Sequence, residues 1–210
     1  MVRLEQLLSS SPSEFEGVLR IYTEAHPASE RKSADALAHM IARPEYLFLA
    51  AIEADAVVGF AIATAFADSD AALLEYMAVD ASHRGRGLGR QMFRAVAEHA
   101  LMAERFLLVE VDSDRTDSAD AKDHARRMQF YRRLGCRQIK GLAYVMPKVS
   151  TAEPPLMDML VYRPELPASI EKPHLQAWLE SCYAQVYDQA LPDERIATML
   201  AGLPNLVPIQ

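Results

Sequence analysis

The chain is short of cysteine, positive charge, long apolar runs and glycine, and each shortage excludes something. Cys136 and Cys182 are the only two cysteines in 210 residues. They lie far apart in no metal-ligand spacing, which excludes a disulfide framework and fits a reducing compartment. Lys and Arg total 22 against 29 Asp and Glu, a formal net charge of −7. Nucleic-acid binders are usually basic, so neither a nucleic-acid nor a membrane-surface partner is expected, although a local basic patch stays open. No apolar run approaches the length of a bilayer span. The N-terminal stretch lacks the apolar core of a secretory signal, so the expected location is cytoplasmic. What the chain does have is apolar content, at 50% hydrophobic residues. That is enough for a real core without metal or disulfide staples. There is no internal repeat and no low-complexity segment.

Periodicity gives the organisation. Val2–Leu8 reads as a short first strand. Phe15, Val18, Leu19 and Tyr22 fall at helical spacing, and His26-Pro27 stops that helix. A second helix is expected from Ser33, a natural N-cap, with Leu37, Met40 and Ile41 on its inner face. Tyr46–Ala54 and Val57–Ala65 read as strands joined in a hairpin at Asp55, and Ala72–Val79 as the next strand. An amphipathic helix follows from Leu88 to Ala100. Arg105–Val111 is apolar enough to be a central strand. Residues 113–120 read as a loop. A further helix runs to Leu134, with Gly135 as its stop. Gln138–Met146 and Leu156–Tyr162 read as two more strands. The division expected is a main domain over 1–165 and a helical extension over 166–210. In the extension, Leu175, Trp178, Leu179, Cys182, Val186 and Tyr187 share one helical face. Ile196, Met199 and Leu200 mark a last short helix. This extension can pack back on the core, form a dimer contact or cover a site.

Glycine is scarce, at eight residues, yet three of them fall within five positions. Gly85, Gly87 and Gly89 alternate with Arg84, Arg86 and Arg90 in VDASHRGRGLGRQMF. A glycine inside a helix costs about 1 kcal/mol, so the cluster is read as a strand-to-helix loop. Such a loop exposes backbone N–H groups beside a helix N-terminus, and the arginines add charge and paired donors. The combination reads as a phosphate cradle rather than a plain turn. A P-loop requires Lys after the glycines, and none is there. A dinucleotide fingerprint requires a third glycine where Arg90 stands and almost no gap after the strand, although Glu110 sits at the right distance downstream.

Arg84-Gly85-Arg86-Gly87-Leu88-Gly89 has the form [RQ]-x-x-G-x-[GA]. It resembles the acyl-CoA pyrophosphate loop of the GNAT superfamily of N-acetyltransferases. Phe130-Tyr131-Arg132-Arg133-Leu134-Gly135-Cys136 is similar to that family's second block, a helix carrying a tyrosine and then a glycine. Cys136 stands where the family has an aromatic residue, and it is read as a small apolar side chain, not a nucleophile. The resemblance implies an α/β fold with a mixed, mostly antiparallel, splayed sheet flanked by helices. It also implies acetyl-CoA as cosubstrate, with no metal. The backbone of Met77, Ala78 and Val79 would hold the pantetheine arm. Arg84, Gly85, Arg86, Gly87, Leu88, Gly89 and Arg90 would hold the pyrophosphate.

By position in the second block, the resemblance makes Tyr131 the general acid for the departing thiolate. Glu75 is the candidate base, a carboxylate in the otherwise apolar LLEYMAV, sharing a face with Leu73 and Met77. Glu110 and Asp112 can share or replace that role. His124 stands where the family often has an asparagine, and it is read as a solvent-facing helix residue. Glu75, Glu110, Asp112 and Glu30 form an acidic set that suits a cationic amine acceptor, either a small molecule or a peptide. Three readings stay open: an N-acetyltransferase, a non-catalytic acyl-CoA sensor or interaction module on the same fold, and a nucleotide-binding dehydrogenase, which NADH binding without CoA binding would favour.

Overall fold

The computed structural model describes residues 1–9, 12–115, 121–149 and 154–210. The expected loop over residues 113–120 therefore lies outside the described residues from 116 on. The chain forms an α/β fold. Its seven-stranded, mostly antiparallel sheet has the strand order β1-β2-β3-β4-β5-β7-β6, and helices flank it. The chain divides into two compact units. One is built chiefly from Met1–Ala65 and Leu74–Glu104. The other is built from Phe66–Leu73, Arg105–Lys148 and the C-terminal stretch to Gln210.

In the first unit the two hairpin strands are buried on both faces, as their unbroken apolar sequence requires. Strands β2 (Tyr46–Glu53) and β3 (Ala56–Ala65) are buried along nearly their whole length. They pair antiparallel, and β1 (Arg3–Gln6) pairs antiparallel with β2. Glu53 faces Ala56 across a two-residue turn. Its residues Ala54 and Asp55 have φ of 48° and 62°, the left-handed pair that matches strand twist. Helix α1 (Pro12–Ala25) and helix α2 (Ala34–Met40) cover these strands. Phe15, Val18, Ile21 and Tyr22 join Phe48, Phe60 and Ile62 in one core. A Cβ on Gly17 would lie 2.8 Å from Val57 Cβ, so this glycine sets how closely α1 approaches β3. Ser33 caps α2 as expected, its hydroxyl accepting from the Ala36 N–H at 3.1 Å.

The second unit contains strand β5 (Phe106–Asp112), which pairs antiparallel with β7 (Met157–Tyr162). Between them in sequence comes helix α4 (Ala121–Arg133). Gly135 follows it at φ 98°, as a left-handed helix stop should. The expected long strand Gln138–Met146 is corrected. Only Arg137–Gln138 (β6) ladders onto β7, and Ile139 makes one bridge to Ile209. Gly141 at φ 79° breaks the pleat, and the Lys140 N–H is taken by the Pro208 carbonyl at 2.9 Å. Leu142, Tyr144 and Met146 are buried, so the alternation in the sequence is real but reports packing without a ladder.

The C-terminal residues add a small two-stranded sheet that periodicity did not reveal, β8 (Ser169–Glu171) with β9 (Leu206–Pro208). Three-residue strands carry too few positions to show a period. Helix α5 (Lys172–Gln185) begins earlier than the apolar face suggests, with Pro173 inside its first turn, where proline's missing N–H costs nothing. Leu175, Trp178, Leu179, Cys182 and Tyr183 are fully buried and share a core with Phe106, Leu108 and Met159. Helix α6 (Glu194–Ala201) contributes Ile196, Met199 and Leu200. The Trp178 indole N–H donates to Asp70 Oδ1 at 2.8 Å. Trp178→Ala should therefore cost about 3–5 kcal/mol of stability, measured as a lower urea midpoint for the whole chain. A stability loss under about 1 kcal/mol would overturn this reading of Trp178 as a core residue.

Candidate functional site

Strand β4 (Ala71–Val79) delivers the chain to the glycine cluster. Asp80 fixes the exit from the strand. Its N–H donates to the Val58 carbonyl at 2.9 Å. Its Oδ1 accepts from the Ser82 N–H at 3.0 Å and the Ser82 hydroxyl at 2.6 Å, and its Oδ2 accepts from Arg20 at 2.8 Å. These donors, Ser82 foremost and then Arg20, hold the Asp80 carboxyl well below the usual carboxylate range. One turn of 3-10 helix (Ala81–His83) follows. Arg84 then folds back, its Nε donating to the Val79 carbonyl at 3.1 Å.

Gly85 and Gly87 have φ of 79° and 82°. A Cβ at either position would meet nothing within 4 Å. The glycines are thus required by the left-handed backbone and not by crowding. Gly87 is the N-cap of helix α3 (Leu88–Glu98). Gly89 is corrected: it lies inside the first turn of α3 and not in the loop, so the cost of helical glycine excludes only two of the three from the helix. Leu88, Met92, Phe93 and Val96 anchor α3, leaving its first N–H groups without intrahelical partners. Arg84, Arg86 and Arg90 are exposed around that N-terminus. The arrangement can bind an extended anion through backbone donors and guanidinium groups together.

Glu75 is buried, its side chain only 3% exposed. Its Oε2 accepts from the Lys32 ammonium at 2.7 Å, and Lys32 is itself 15% exposed. Its Oε1 is buried without a hydrogen-bond partner. Burial raises the Glu75 carboxyl above the ordinary range, against the opposing pull of Lys32. The neighbouring Tyr76 hydroxyl donates to the Glu30 backbone carbonyl at 2.9 Å, which ties the segment between α1 and α2 to β4. Met77 and Val79 are half-buried on the Glu75 side of the strand, and Ala78 is buried on the other.

The second unit holds the remaining candidates. Tyr131 is buried in the last turn of α4, and burial pushes its hydroxyl above the ordinary tyrosine range. Cys136 is buried too, its thiol pushed up to about 12 by burial. At neutral pH it is a protonated thiol and a poor nucleophile. Glu110 is half-buried in β5. It accepts from Tyr144 through Oε1 and from Tyr187 through Oε2 at 2.5 Å. Asp112 is buried and pairs with Arg127. His124 is half-buried on α4, where the sequence suggested a solvent-facing residue.

Three partners escaped the sequence reading: Lys32, Tyr144 and Tyr187. Lys32 reaches Glu75 from 43 positions away, and Tyr187 reaches Glu110 from 77. Nothing local announces such pairs. The Asp80-x-Ser82 spacing was readable, because an aspartate that accepts from the backbone two residues on is a turn signal.

With this geometry in view, comparison with known proteins is direct. Residues 44–137 match the acetyltransferase (GNAT) domain model. Comparison with curated proteins gives no match. Among solved structures, the chain is similar to a GNAT-family protein from Bacteroides thetaiotaomicron, at 20% identity and a TM-score of 0.71, covering 90% of this chain and 99% of that one. It is similar to the ribosomal-protein-S18-alanine N-acetyltransferase of Escherichia coli, at 19% identity and 0.58, covering 80% and 96%. Arabidopsis thaliana NAA60, solved in complex with acetyl-CoA, matches at 13% identity and 0.59, covering 77% and 98%. At these identities the solved structures establish a shared fold.

The Asp80 clamp depends on pH. Its carboxyl is held low in the folded state, so its contribution is full above the unfolded value near 4 and is lost as pH falls below that. Asp80→Asn keeps an acceptor for the Ser82 N–H but loses the charge paired with Arg20, and should cost about 1 kcal/mol at pH 7. It should cost progressively less below pH 4, read from urea midpoints across pH. A penalty that does not shrink in acid would refute the clamp.

Proposed function

We propose that the chain is an acetyl-CoA-dependent N-acetyltransferase that passes an acetyl group to a primary amine by direct attack. The observation that carries this reading is the strand-to-helix turn. Two left-handed glycines and three exposed arginines lie at the N-terminus of α3, directly after β4. The residues fit a pyrophosphate, because the backbone donors and the positive charge of the helix end converge there. Arg84–Arg90 would hold the pyrophosphate, and the backbone of Met77, Ala78 and Val79 the pantetheine arm.

The chemistry needs a neutral amine, a stabilised oxyanion and a protonated leaving thiol. Glu75 is proposed as the base. Burial raises its carboxyl, which makes it a better proton acceptor than an ordinary glutamate. Tyr131 is proposed as the acid, since a hydroxyl that burial keeps protonated at neutral pH can donate to a departing thiolate. Glu110, Asp112 and Glu30 are proposed to favour a cationic acceptor, a small molecule or a peptide amine. Of these, Glu110 and Asp112 already have internal partners and would act through their field. A cytoplasmic setting suits two free, buried cysteines.

One observation favours the alternative of a non-catalytic acyl-CoA sensor: Glu75 is satisfied in part by Lys32, and a pure binder needs no base. Calorimetric titration with acetyl-CoA, with NADH and ATP as controls, tests the shared part. Micromolar binding of acetyl-CoA alone, lost in Gly87→Glu, is expected. Tyr131→Phe then separates the readings. An enzyme should keep its affinity and lose about 10²–10⁴-fold in thiol release with an amine panel. Unchanged turnover would refute the acid role, and no turnover in the parent protein would favour the sensor.

A further inference from the structure

The Lys32–Glu75 pair puts a primary amine on the carboxylate proposed as the base, and this bears on the acceptor. We propose that Lys32 is itself an acceptor: the protein acetylates its own Lys32 Nζ from acetyl-CoA. The proposal rests on the acetyltransferase reading above and assigns a modification site within it.

Four observations carry it. The Lys32 Nζ lies 2.7 Å from Glu75 Oε2, the contact a base needs with the nitrogen it deprotonates. Both side chains are largely withdrawn from water, at 15% and 3% exposure. The second carboxylate oxygen, Oε1, is buried and makes no well-formed hydrogen bond, although the Tyr46 hydroxyl also acts on this carboxyl group. Glu75 lies two residues before Met77 on the same face of β4, and Met77 begins the backbone segment proposed for the pantetheine arm. The amine, the base and the proposed donor-binding strand all belong to the first unit.

The step balances. Glu75 accepts one proton from the Lys32 ammonium and releases it to solvent. The neutral nitrogen attacks the thioester carbonyl. The C–N bond forms and the C–S bond breaks. The second proton lost by nitrogen ends on the CoA sulfur. The products are Nε-acetyl-lysine, free CoA thiol and one proton. The reaction removes the positive charge beside Glu75, so the modified protein presents a carboxylate without its ammonium partner. Self-acetylation would then change the state of the base, and a single turnover would be visible without any external amine.

The experiment uses the full chain with deuterated acetyl-CoA and follows label by peptide mass spectrometry. Lys122, Lys140 and Lys148 are exposed and report uncatalysed acetylation within the same sample. Acetyl-CoA binding is measured on the same preparation by calorimetry. Lys32, although the least accessible of the four, should take up label at least 10-fold faster than the others. Its rate constant should not change when the protein is diluted tenfold. Glu75→Gln should slow labelling of Lys32 by about 10²-fold or more, as loss of a general base does, while acetyl-CoA still binds. If that variant does not fold, the distribution of label in the parent protein decides alone. Labelling of Lys32 no faster than the exposed lysines, with acetyl-CoA binding intact, overturns this inference and leaves the acetyltransferase reading standing. A rate that falls on dilution overturns the intramolecular step. An absence of acetyl-CoA binding overturns both readings.

Discussion

The turn between β4 and α3 is the constraint on which the candidate site depends. A chain with a net charge of −7 can hold a polyanion only where local donors outweigh the general field. Backbone N–H groups are suited to this, because they carry no counter-ion and are fixed in direction. Presenting them requires a helix that starts abruptly after a strand, and an abrupt start requires left-handed residues. Gly85 and Gly87 supply them. Asp80 supplies the other half, since an acidic residue before a basic loop is otherwise a liability. Its carboxylate is saturated by Ser82 and Arg20. The negative charge thus shapes the loop from inside and is neutralised before it can oppose a ligand.

The pairing of Lys32 with Glu75 is harder to explain by stability. Withdrawing two ions from water costs several kcal/mol each, and well-packed apolar residues often do as well or better. The surrounding strand is apolar, so Leu or Met at position 75 would fit the pattern of LLEYMAV. Breaking such a pair from one side typically costs about 3–5 kcal/mol, which makes it costly to lose without making it favourable to have. An ion pair of this kind, with one carboxylate oxygen left over, is better explained by chemistry than by packing. That is the physical basis for proposing Glu75 as the base.

Much of this was legible in the sequence, and the reason differs between elements. The hairpin strands, α3 and α4 were readable because long apolar periods leave few alternatives. The left-handed positions were readable because scarce glycines were clustered. Gly89 was misplaced because glycine identity reports permission for a conformation, not its use. The strand expected over Gln138–Met146 failed for a different reason. Alternating burial is necessary for a strand but does not supply hydrogen-bond partners, and here the C-terminal residues took them. The candidate carboxylates were readable one by one. Their partners were not, because Lys32, Tyr144 and Tyr187 are distant in sequence and of common residue types.

The two buried-side carboxylates show why partners matter more than positions. Glu75 and Glu110 both sit in apolar strands and both look like bases from the sequence. Glu75 meets a cation on one oxygen and makes no well-formed hydrogen bond through the other, with the Tyr46 hydroxyl near enough to act on the carboxyl group. Glu110 meets a phenol on each oxygen. A carboxylate accepting two hydroxyl donors keeps its charge but has its best lone pairs engaged, so taking up a proton means giving up a strong hydrogen bond. A carboxylate with an open oxygen can take a proton without that loss. Tyr144 is fully buried, and Tyr187 comes from the chain just beyond α5. The C-terminal residues therefore supply part of the grip on Glu110. In physical terms they fix the position of the Glu110 carboxyl group by engaging both of its oxygens.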